Sequence, residues 1–322
     1  MKVIVPEFIH PEALELLQSN ADTHVDPELY RRPAALAAAM PGAQGLIVRN
    51  QTRVDAALLE HALELKVVGR VGVGLDNLDL PALQARGVTT TWAPGTNAVS
   101  VAEYVLGAML ELLRRFGPIS QQLHQGSWDR RAAIGSEVFG KTLGILGLGD
   151  IGSRLAKRAR AFGLQVMASD PQLHKSSFAV QEYGVVLTEA EVLLGDSDII
   201  SLHTPLLPST HHLIDEAALA LMKPSAFLIN TARGGLIDET ALATALRQGR
   251  LAGAALDVRE QEPPGEDDPL RGLDNVILTP HMAGVTEESM RRASLHVVND
   301  VLRVLAGERP VSPVPAGAGG KL

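Results

Sequence analysis

Residues 142–152 read TLGILGLGDIG, and the fold is decided there. A short apolar run, 143–146, stops at three glycines, Gly147, Gly149 and Gly152. Ile151, Leu155 and Ala156 open a helical repeat, and a second apolar run, 166–168, leads to Asp170. The acid follows the last glycine by 18 residues (170 against 152). Strand, glycine turn, helix, second strand and terminal acid is the order of a dinucleotide-binding βαβ unit.

Each position has a physical task. Gly147 permits the tight turn, Gly149 lets backbone approach a pyrophosphate, and Gly152 lets the helix pack closely on the strand. The unpaired N–H groups of the first helical turn favour the anion, and the helix dipole adds to them. A carboxylate at Asp170 accepts hydrogen bonds from both ribose hydroxyls and repels a 2′-phosphate. The expected cofactor is therefore NAD, not NADP.

The 322 residues are enough for two domains. The chain is 46% hydrophobic and 20% charged, a globular composition. Its net charge is -8 with no dominant basic cluster, which argues against a nucleic-acid partner. Without cysteine it has no disulfide, thiolate nucleophile or Cys-ligated metal, and no other metal-ligand motif is read. This composition fits a cytoplasmic protein. The apolar run at the N-terminus ends at Pro6 and Glu7, so it is neither a signal peptide nor a membrane span. The alanine-rich stretch 34–40 is too short to span and reads as helix.

Working outward, residues 1 to about 95 alternate strand and helix. Strands are expected at 2–5, 23–25, 45–48, 67–71 and 88–91, with helices at 11–18, 33–40, 54–62 and 80–85. This is a first α/β unit with a parallel sheet. Pro94 and Gly95 punctuate the chain. A long helix follows over 99–113, with Ser100 as cap and Glu103 completing a capping box. Its apolar positions Val101, Val105, Met109 and Leu112 suit either a domain core or a subunit interface. A second helix is read over 119–125. After the fingerprint come strands at 185–187, 199–202, 227–230, 252–256 and 276–278. Helices are read at 189–194, 216–221 and 238–248, and a last long one at 287–306. The Pro- and Gly-rich tail, 310–322, reads as disordered.

The fingerprint thus lies mid-chain. The expected division is a nucleotide domain over 98–285 and a discontinuous substrate domain, 1–97 plus 286–322, closed by the last helix. Both would be α/β parallel-sheet domains of the Rossmann or flavodoxin kind, with an active-site cleft between them.

Reducing a keto acid by hydride transfer requires a cation for the carboxylate and an acid–base group at the carbonyl oxygen. It also requires a partner that tunes that group. Arg233 follows the strand 227–230, flanked by glycines, and can clamp a carboxylate with two parallel hydrogen bonds. It can equally be a surface arginine closing a helix end. His281 follows the strand ending at Leu278, and an imidazole is the side chain suited to giving or taking a proton near neutral pH, but it is one of ten histidines. Glu262 can fix an imidazole's tautomer, yet Glu260, Glu266, Asp267 and Asp268 crowd the same loop. Asp257 ends a strand and can reach a nicotinamide or cap a turn.

Seven segments in order resemble the D-isomer-specific 2-hydroxyacid dehydrogenase family. They are VVGRVGVGLDNLDL (67–80), GTNAVSVAEYVLG (95–107), GKTLGILGLGDIG (140–152), SLHTPLLPST (201–210), INTARGGLIDETAL (229–242), AALDVREQEPP (254–264) and TPHMAG (279–284). The likeness extends to about residue 307 and is nearest the phosphoglycerate dehydrogenase and sulfolactate dehydrogenase-like branch. The resemblance implies that Arg233 binds the substrate carboxylate, that His281 is the acid–base residue and that Glu262 is its partner. It places Thr204, Pro205, Thr231, Ala232, Arg233, Asp257, His281 and Gly284 near the cofactor, beside Gly147, Gly149, Asp150, Ile151, Gly152 and Asp170. It places the backbone of Val71, Gly72 and Val73, through Gly74, on the substrate side. Arg49, Arg70 and Asn97 match positions around a phosphate-bearing substrate. The family's dimer uses the region of the long helix, so a homodimer is implied. With 15 residues after Gly307 in this sequence, neither a C-terminal regulatory domain nor serine feedback through one is expected.

The reaction so implied is NAD-dependent interconversion of a small 2-hydroxy acid and its 2-oxo acid. Arg49 and Arg70 favour an anionic 3-substituent, as in 3-phosphoglycerate or sulfolactate. Glyoxylate or hydroxypyruvate reduction is the alternative within the class. A cofactor-sensing corepressor is the alternative outside it, and relatives of that kind can keep Arg233, Glu262 and His281. A hydrolase of the adenosylhomocysteine hydrolase kind shares the fold but lacks support at these motifs.

Overall fold

The computed structural model describes residues 1–315. The chain divides into two compact units, Met1–Asn97 with the chain from Val285 onward, and Ala98–Gly284. In both, apolar runs without alternation form strands buried on both faces, the pattern of parallel sheets flanked by helices.

Unit 1 contains β1 (Lys2–Val5), α1 (Pro11–Gln18), β2 (Asp22–Val25), α2 (Pro33–Ala39), β3 (Ala43–Val48), α3 (Ala56–Glu60), β4 (Val67–Arg70), α4 (Leu80–Ala85) and β5 (Thr89–Trp92). Its five parallel strands run β2-β1-β3-β4-β5, the flavodoxin-like order. Leu36, Leu59 and Leu83 cover one face of the sheet with Ile4, Leu46 and Val68. The other face, with Val3, Val5, Ile47 and Val67, is covered by Leu17 of α1 and by Val297, Val298 and Val301. Those valines belong to the last helix, α12 (Glu287–Leu305), which returns to this unit. Thr286 and Ser289 start α12 with a reciprocal capping box.

Unit 2 contains α5 (Ala98–Arg114), α6 (Phe116–His124), β6 (Thr142–Leu146), α7 (Asp150–Ala161), β7 (Gln165–Ser169), α8 (Phe178–Tyr183), β8 (Val186–Leu187), α9 (Ala190–Asp196), β9 (Ile199–Leu202), α10 (Glu216–Leu221), β10 (Phe227–Asn230), α11 (Glu239–Arg247), β11 (Gly253–Leu256) and β12 (Val276–Leu278). Its seven parallel strands run β12-β11-β10-β9-β6-β7-β8. Counted from β6, this is the doubly wound order, reversing between β6 and β9. Alternate strand residues serve opposite cores. Leu143 and Ile145 pack with Val105, Met109 and Leu155 on one face. Leu146, Ile200 and Leu228 pack with Leu193, Leu219 and Leu242 on the other.

Two expectations are corrected, the capping box of α5 and the disorder of the tail. Ser100 does not cap α5, because the helix starts two residues earlier and buries Ser100 in its first turn. Glu103 instead faces Arg158 at 3.9 Å. Of the apolar positions read on this helix, Val101, Val105 and Met109 are buried in the core, and Leu112, half-buried, packs against it beside Leu113. The start of the tail is ordered: Asp300 accepts the N–H groups of Val311 and Ser312, and Val314 donates to the Thr90 carbonyl along β5. The rest of that tail, 316–322, lies outside the described residues. The helix α8 had no reading in the sequence. Among the described residues no helix is long and apolar enough to cross a membrane.

Candidate active site

The sheet of unit 2 reverses between β6 and β9, and ligands of such sheets bind at the strand ends beside that point. Gly147 lies there with φ +92°, a conformation only glycine adopts cheaply. A Cβ on it would meet the His203 carbonyl carbon at 2.8 Å and the Thr204 nitrogen at 3.0 Å. A Cβ on Gly152 would meet the Gly147 oxygen at 2.4 Å, so helix and turn touch backbone to backbone. Gly149 precedes α7, and a Cβ there would meet nothing within 4 Å. An open approach to a helix N-terminus is the cradle a pyrophosphate needs. Asp170, past the end of β7, accepts the Leu148 N–H at 2.9 Å and the Gln172 N–H at 2.9 Å. It ties the glycine turn to the second strand and keeps further acceptor capacity for hydroxyls. Asp150 is exposed and turns to Arg154 at 2.7 Å, and Ile151 is half-buried.

Just past the ends of β9 and β10, two polar atoms are buried with no partner among the described residues, Nδ1 of His203 and Oγ1 of Thr231. Nε2 of His203 is 2.9 Å from the Ser201 hydroxyl, and burial lowers the pKa of His203 to about 4. Thr204 and Pro205 follow it in the chain. A donor and an acceptor left unpaired at this place fit a bound dinucleotide.

The strand ends of β10, β11 and β12 supply the charged groups. Asn230, fully buried, donates to the Arg233 carbonyl at 2.8 Å and accepts the Ala232 N–H at 3.0 Å. That clamp presents Arg233, whose guanidinium donates to the Ala232 carbonyl at 2.6 Å. A Cβ on Gly234 would lie 1.9 Å from the Arg259 carbonyl carbon, so the turn rests directly on the loop after β11. That loop carries Glu262. One Glu262 oxygen accepts the Arg259 N–H at 3.0 Å, and the other is 2.8 Å from Nδ1 of His281. Burial pushes the Glu262 carboxyl up. The His281 hydrogen bond, the Arg259 N–H and the charges of His281 and Arg233 outweigh it and hold Glu262 below the ordinary 4.5.

His281 has a left-handed backbone, φ +54°, costly for a residue with a Cβ. The conformation is held by Asp257, 1% exposed. The Asp257 carboxylate accepts the Thr279 hydroxyl at 2.6 Å, the Met282 N–H at 2.7 Å and the Ala283 N–H at 2.8 Å. Its carbonyl accepts the His281 N–H at 2.8 Å. Of the two tasks open to Asp257 in the sequence, the structure shows it capping the turn. Thr279 gives its proton to Asp257, so the Tyr104 hydroxyl donates to Thr279 at 2.6 Å. Burial raises the Tyr104 pKa against that hydrogen bond, and the Asp257 charge adds to the rise. Gly284 ends the turn. With Nδ1 on Glu262, Nε2 of His281 is the ring nitrogen left for a reacting atom.

Unit 1 places its candidates separately. The loop after β3 is clamped from both sides. Glu7, buried, accepts the N–H groups of Arg49 at 2.8 Å, Gln51 at 3.1 Å and Thr52 at 3.0 Å. Asn77 donates to the carbonyls of Arg49 at 2.8 Å and Thr52 at 2.7 Å. Arg70 donates to the Val71 carbonyl at 2.9 Å, and its guanidinium fills the space a Cβ on Gly72 would take. Val71 is buried, and Gly72, Val73 and Asn97 are half-buried.

The sequence did not single out Asn230, Tyr104, Thr279, Glu7 or Asn77. Asn77, Tyr104, Asn230 and Thr279 lie inside the family-like segments, whereas Glu7 left only the trace of an acid just past the carboxyl end of a strand.

Residues 106–283 match the family model described as D-isomer specific 2-hydroxyacid dehydrogenase, NAD binding domain. The chain belongs to that family. It is 44% identical over 306 residues to (S)-sulfolactate dehydrogenase of Chromohalobacter salexigens, covering 94% of this chain and 98% of that one. It is 41% identical over 309 residues to D-3-phosphoglycerate dehydrogenase of Methanocaldococcus jannaschii, covering 96% of this chain. This 2-hydroxyacid dehydrogenase homologue spans only 58% of that relative's length. The solved structure of the TT0316 protein from Thermus thermophilus superposes with a TM-score of 0.91 at 36% identity, over 98% of this chain and 100% of that one. The glycine turn, Asp170 and the unpaired atoms of His203 and Thr231 all lie in or beside the family's NAD-binding domain.

Proposed function

We propose that this protein is an NAD-dependent D-2-hydroxyacid dehydrogenase acting on a substrate with an anionic group at carbon 3, such as a sulfonate or phosphate. The observation that carries the reading is the pairing of His281 with Glu262 at 2.8 Å, on the same unit as Arg233 and the glycine turn. When bound, the nicotinamide supplies or accepts the hydride. Arg233 binds the substrate carboxylate through its planar fork. Nε2 of His281 donates a proton to the carbonyl oxygen in reduction and takes it back in oxidation. Glu262 steadies the ring and the positive charge it carries between those steps. Asp170 holds the ribose hydroxyls and sets the preference for NAD.

We assign the taste for an anionic substituent to Arg49 and Arg70, with Asn97. The rigid clamping of the Arg49 backbone by Glu7 and Asn77 supports this, as does the name of the sulfolactate relative. On this reading unit 1 is the substrate domain. We further propose a cytoplasmic homodimer with no nucleic-acid or membrane partner. The dimer is supported by the segment from α6 to β6, where Trp128 is 79%, Ile134 79% and Phe139 76% exposed. Apolar surface of that kind marks an interface.

The test is NADH oxidation with a panel of 2-oxo acids. 3-Sulfopyruvate and 3-phosphohydroxypyruvate should give a higher kcat/KM than hydroxypyruvate or glyoxylate. Inactivity on the whole panel, with NADH still bound, would overturn the enzymatic reading in favour of a sensor. A preference for hydroxypyruvate or glyoxylate, which carry no second anionic group, would overturn the assignment of Arg49 and Arg70.

A further inference from the structure

His211 and His212 stand next to each other after the segment 203–210. In extended chain, neighbouring side chains point to opposite sides. His212 has φ +51°, which breaks that alternation. The two rings stack, with centroids 3.9 Å apart and planes 28° from parallel. The bend is fixed from below, because the His212 N–H donates to the Gly235 carbonyl at 2.8 Å and the Ile214 N–H to Leu236 at 2.9 Å.

The third group arrives from far along the chain. One carboxylate oxygen of Glu260 is 3.0 Å from Nε2 of His212 and 3.9 Å from Nε2 of His211. Glu260 is buttressed too, since its N–H donates to Glu239 at 2.9 Å. The three candidate donor atoms lie within 4.8 Å of one another. An ion about 2.0–2.2 Å from each of three tetrahedral donors keeps them roughly 3.3–3.6 Å apart. The two measured separations to Glu260 bracket that range, and the stacked rings turn apart to aim both nitrogens at one ion. The side chains are 53%, 33% and 45% exposed for His211, His212 and Glu260, leaving a path from solvent and room for water ligands.

We propose that His211, His212 and Glu260 bind one divalent ion of the zinc class, through two imidazole nitrogens and one carboxylate oxygen. Nitrogen-rich donors of this kind suit zinc, nickel or copper over magnesium or calcium. The site is distinct from the hydride chemistry and does not depend on it. It reaches the active loop, because Glu260 is two residues from Glu262. A bound ion joins the 211–212 bend to that loop. No spacing motif announces the site, since Glu260 is 48 residues from His212.

The experiment is calorimetric titration of the chelator-treated, untagged full chain with zinc chloride. One saturable site per chain is expected, with magnesium chloride giving none. His212→Ala and Glu260→Gln should each weaken zinc on the order of tenfold or more, since even the outer partners of metal ligands cost that much. His174→Ala, an exposed histidine elsewhere, should leave it unchanged. Zinc should also raise the Tm of the wild type and not that of either ligand variant. Unaltered affinity in His212→Ala and Glu260→Gln would overturn the proposal. Zinc-edge X-ray absorption on the wild type needs no variant to fold. Scattering from two imidazoles supports the site, and an all-oxygen shell overturns it.

Discussion

Two ionic clusters share the loop after β11, and they are built in opposite ways. Arg259 is 8% exposed and gives forked hydrogen bonds to both Glu239 and Asp268, at 2.6–3.0 Å. Burial alone would lower the Arg259 pKa, but its hydrogen bonds to Asp268 and Glu239 raise it well above the ordinary value. Three residues on, Glu262 meets His281 with side chains 38% and 40% exposed, and one ring nitrogen remains uncommitted. Each guanidinium nitrogen of the first cluster is bonded to a fixed carboxylate, so the cluster holds shape. The second is half in solvent and incompletely partnered, so it can exchange a proton. The difference teaches how one loop can hold shape with a buried triad and still leave a half-exposed pair open to chemistry.

Four substitutions break or sharpen that contrast. His281→Ala should have the largest effect, lowering kcat by on the order of 10²–10⁴. NADH affinity, read by fluorescence titration, should stay near wild type. Arg259→Met acts on the rigid cluster and leaves two buried carboxylates unpaired. Breaking a buried pair costs about 3–5 kcal/mol, visible as a lower midpoint in denaturant. If the rigid triad positions the loose pair, kcat falls as well while KM for NADH holds. Full activity in a destabilised but folded Arg259→Met would end the positioning argument.

Glu262→Gln is milder for stability, and its signature is in pH. The folded Glu262 pKa is depressed, so its charged form favours the folded state above the ordinary 4.5. That contribution fades as pH falls through the depressed value. The stability gap between wild type and Glu262→Gln should therefore close in acid, and a gap that widened there would contradict the assigned shift. Tyr104→Phe should do least, removing one hydrogen bond to Thr279 for about 1 kcal/mol. Thermal denaturation would show it, with turnover almost unchanged.

The readable parts of this chain are those written in consecutive residues. Three glycines, two apolar runs and Asp170 define the dinucleotide unit, because turn, helix start and strand each depend on local spacing. The strands of both sheets were legible for the same reason. Helix starts were less so. Ser100 looked like a cap, yet packing drew it inside α5, since a buried face outweighs one capping bond. The Pro- and Gly-rich tail looked disordered, but the backbone of 311–314 finds partners in Asp300 and β5.

At the candidate site the sequence by itself determined which residue types stand at the strand ends, Arg233, Asp257, Glu262 and His281. It had no means to separate Glu262 from the acids around it. Tertiary structure decided that, by bringing loop and turn within 2.8 Å, and it turned Asp257 into the clamp of a strained histidine. It also brought Glu260 onto two neighbouring imidazoles. The physical reason is one of range. Backbone preferences act over a few residues and leave a pattern in the chain, whereas hydrogen bonds and ion pairs act over a few ångströms between residues that only folding makes neighbours.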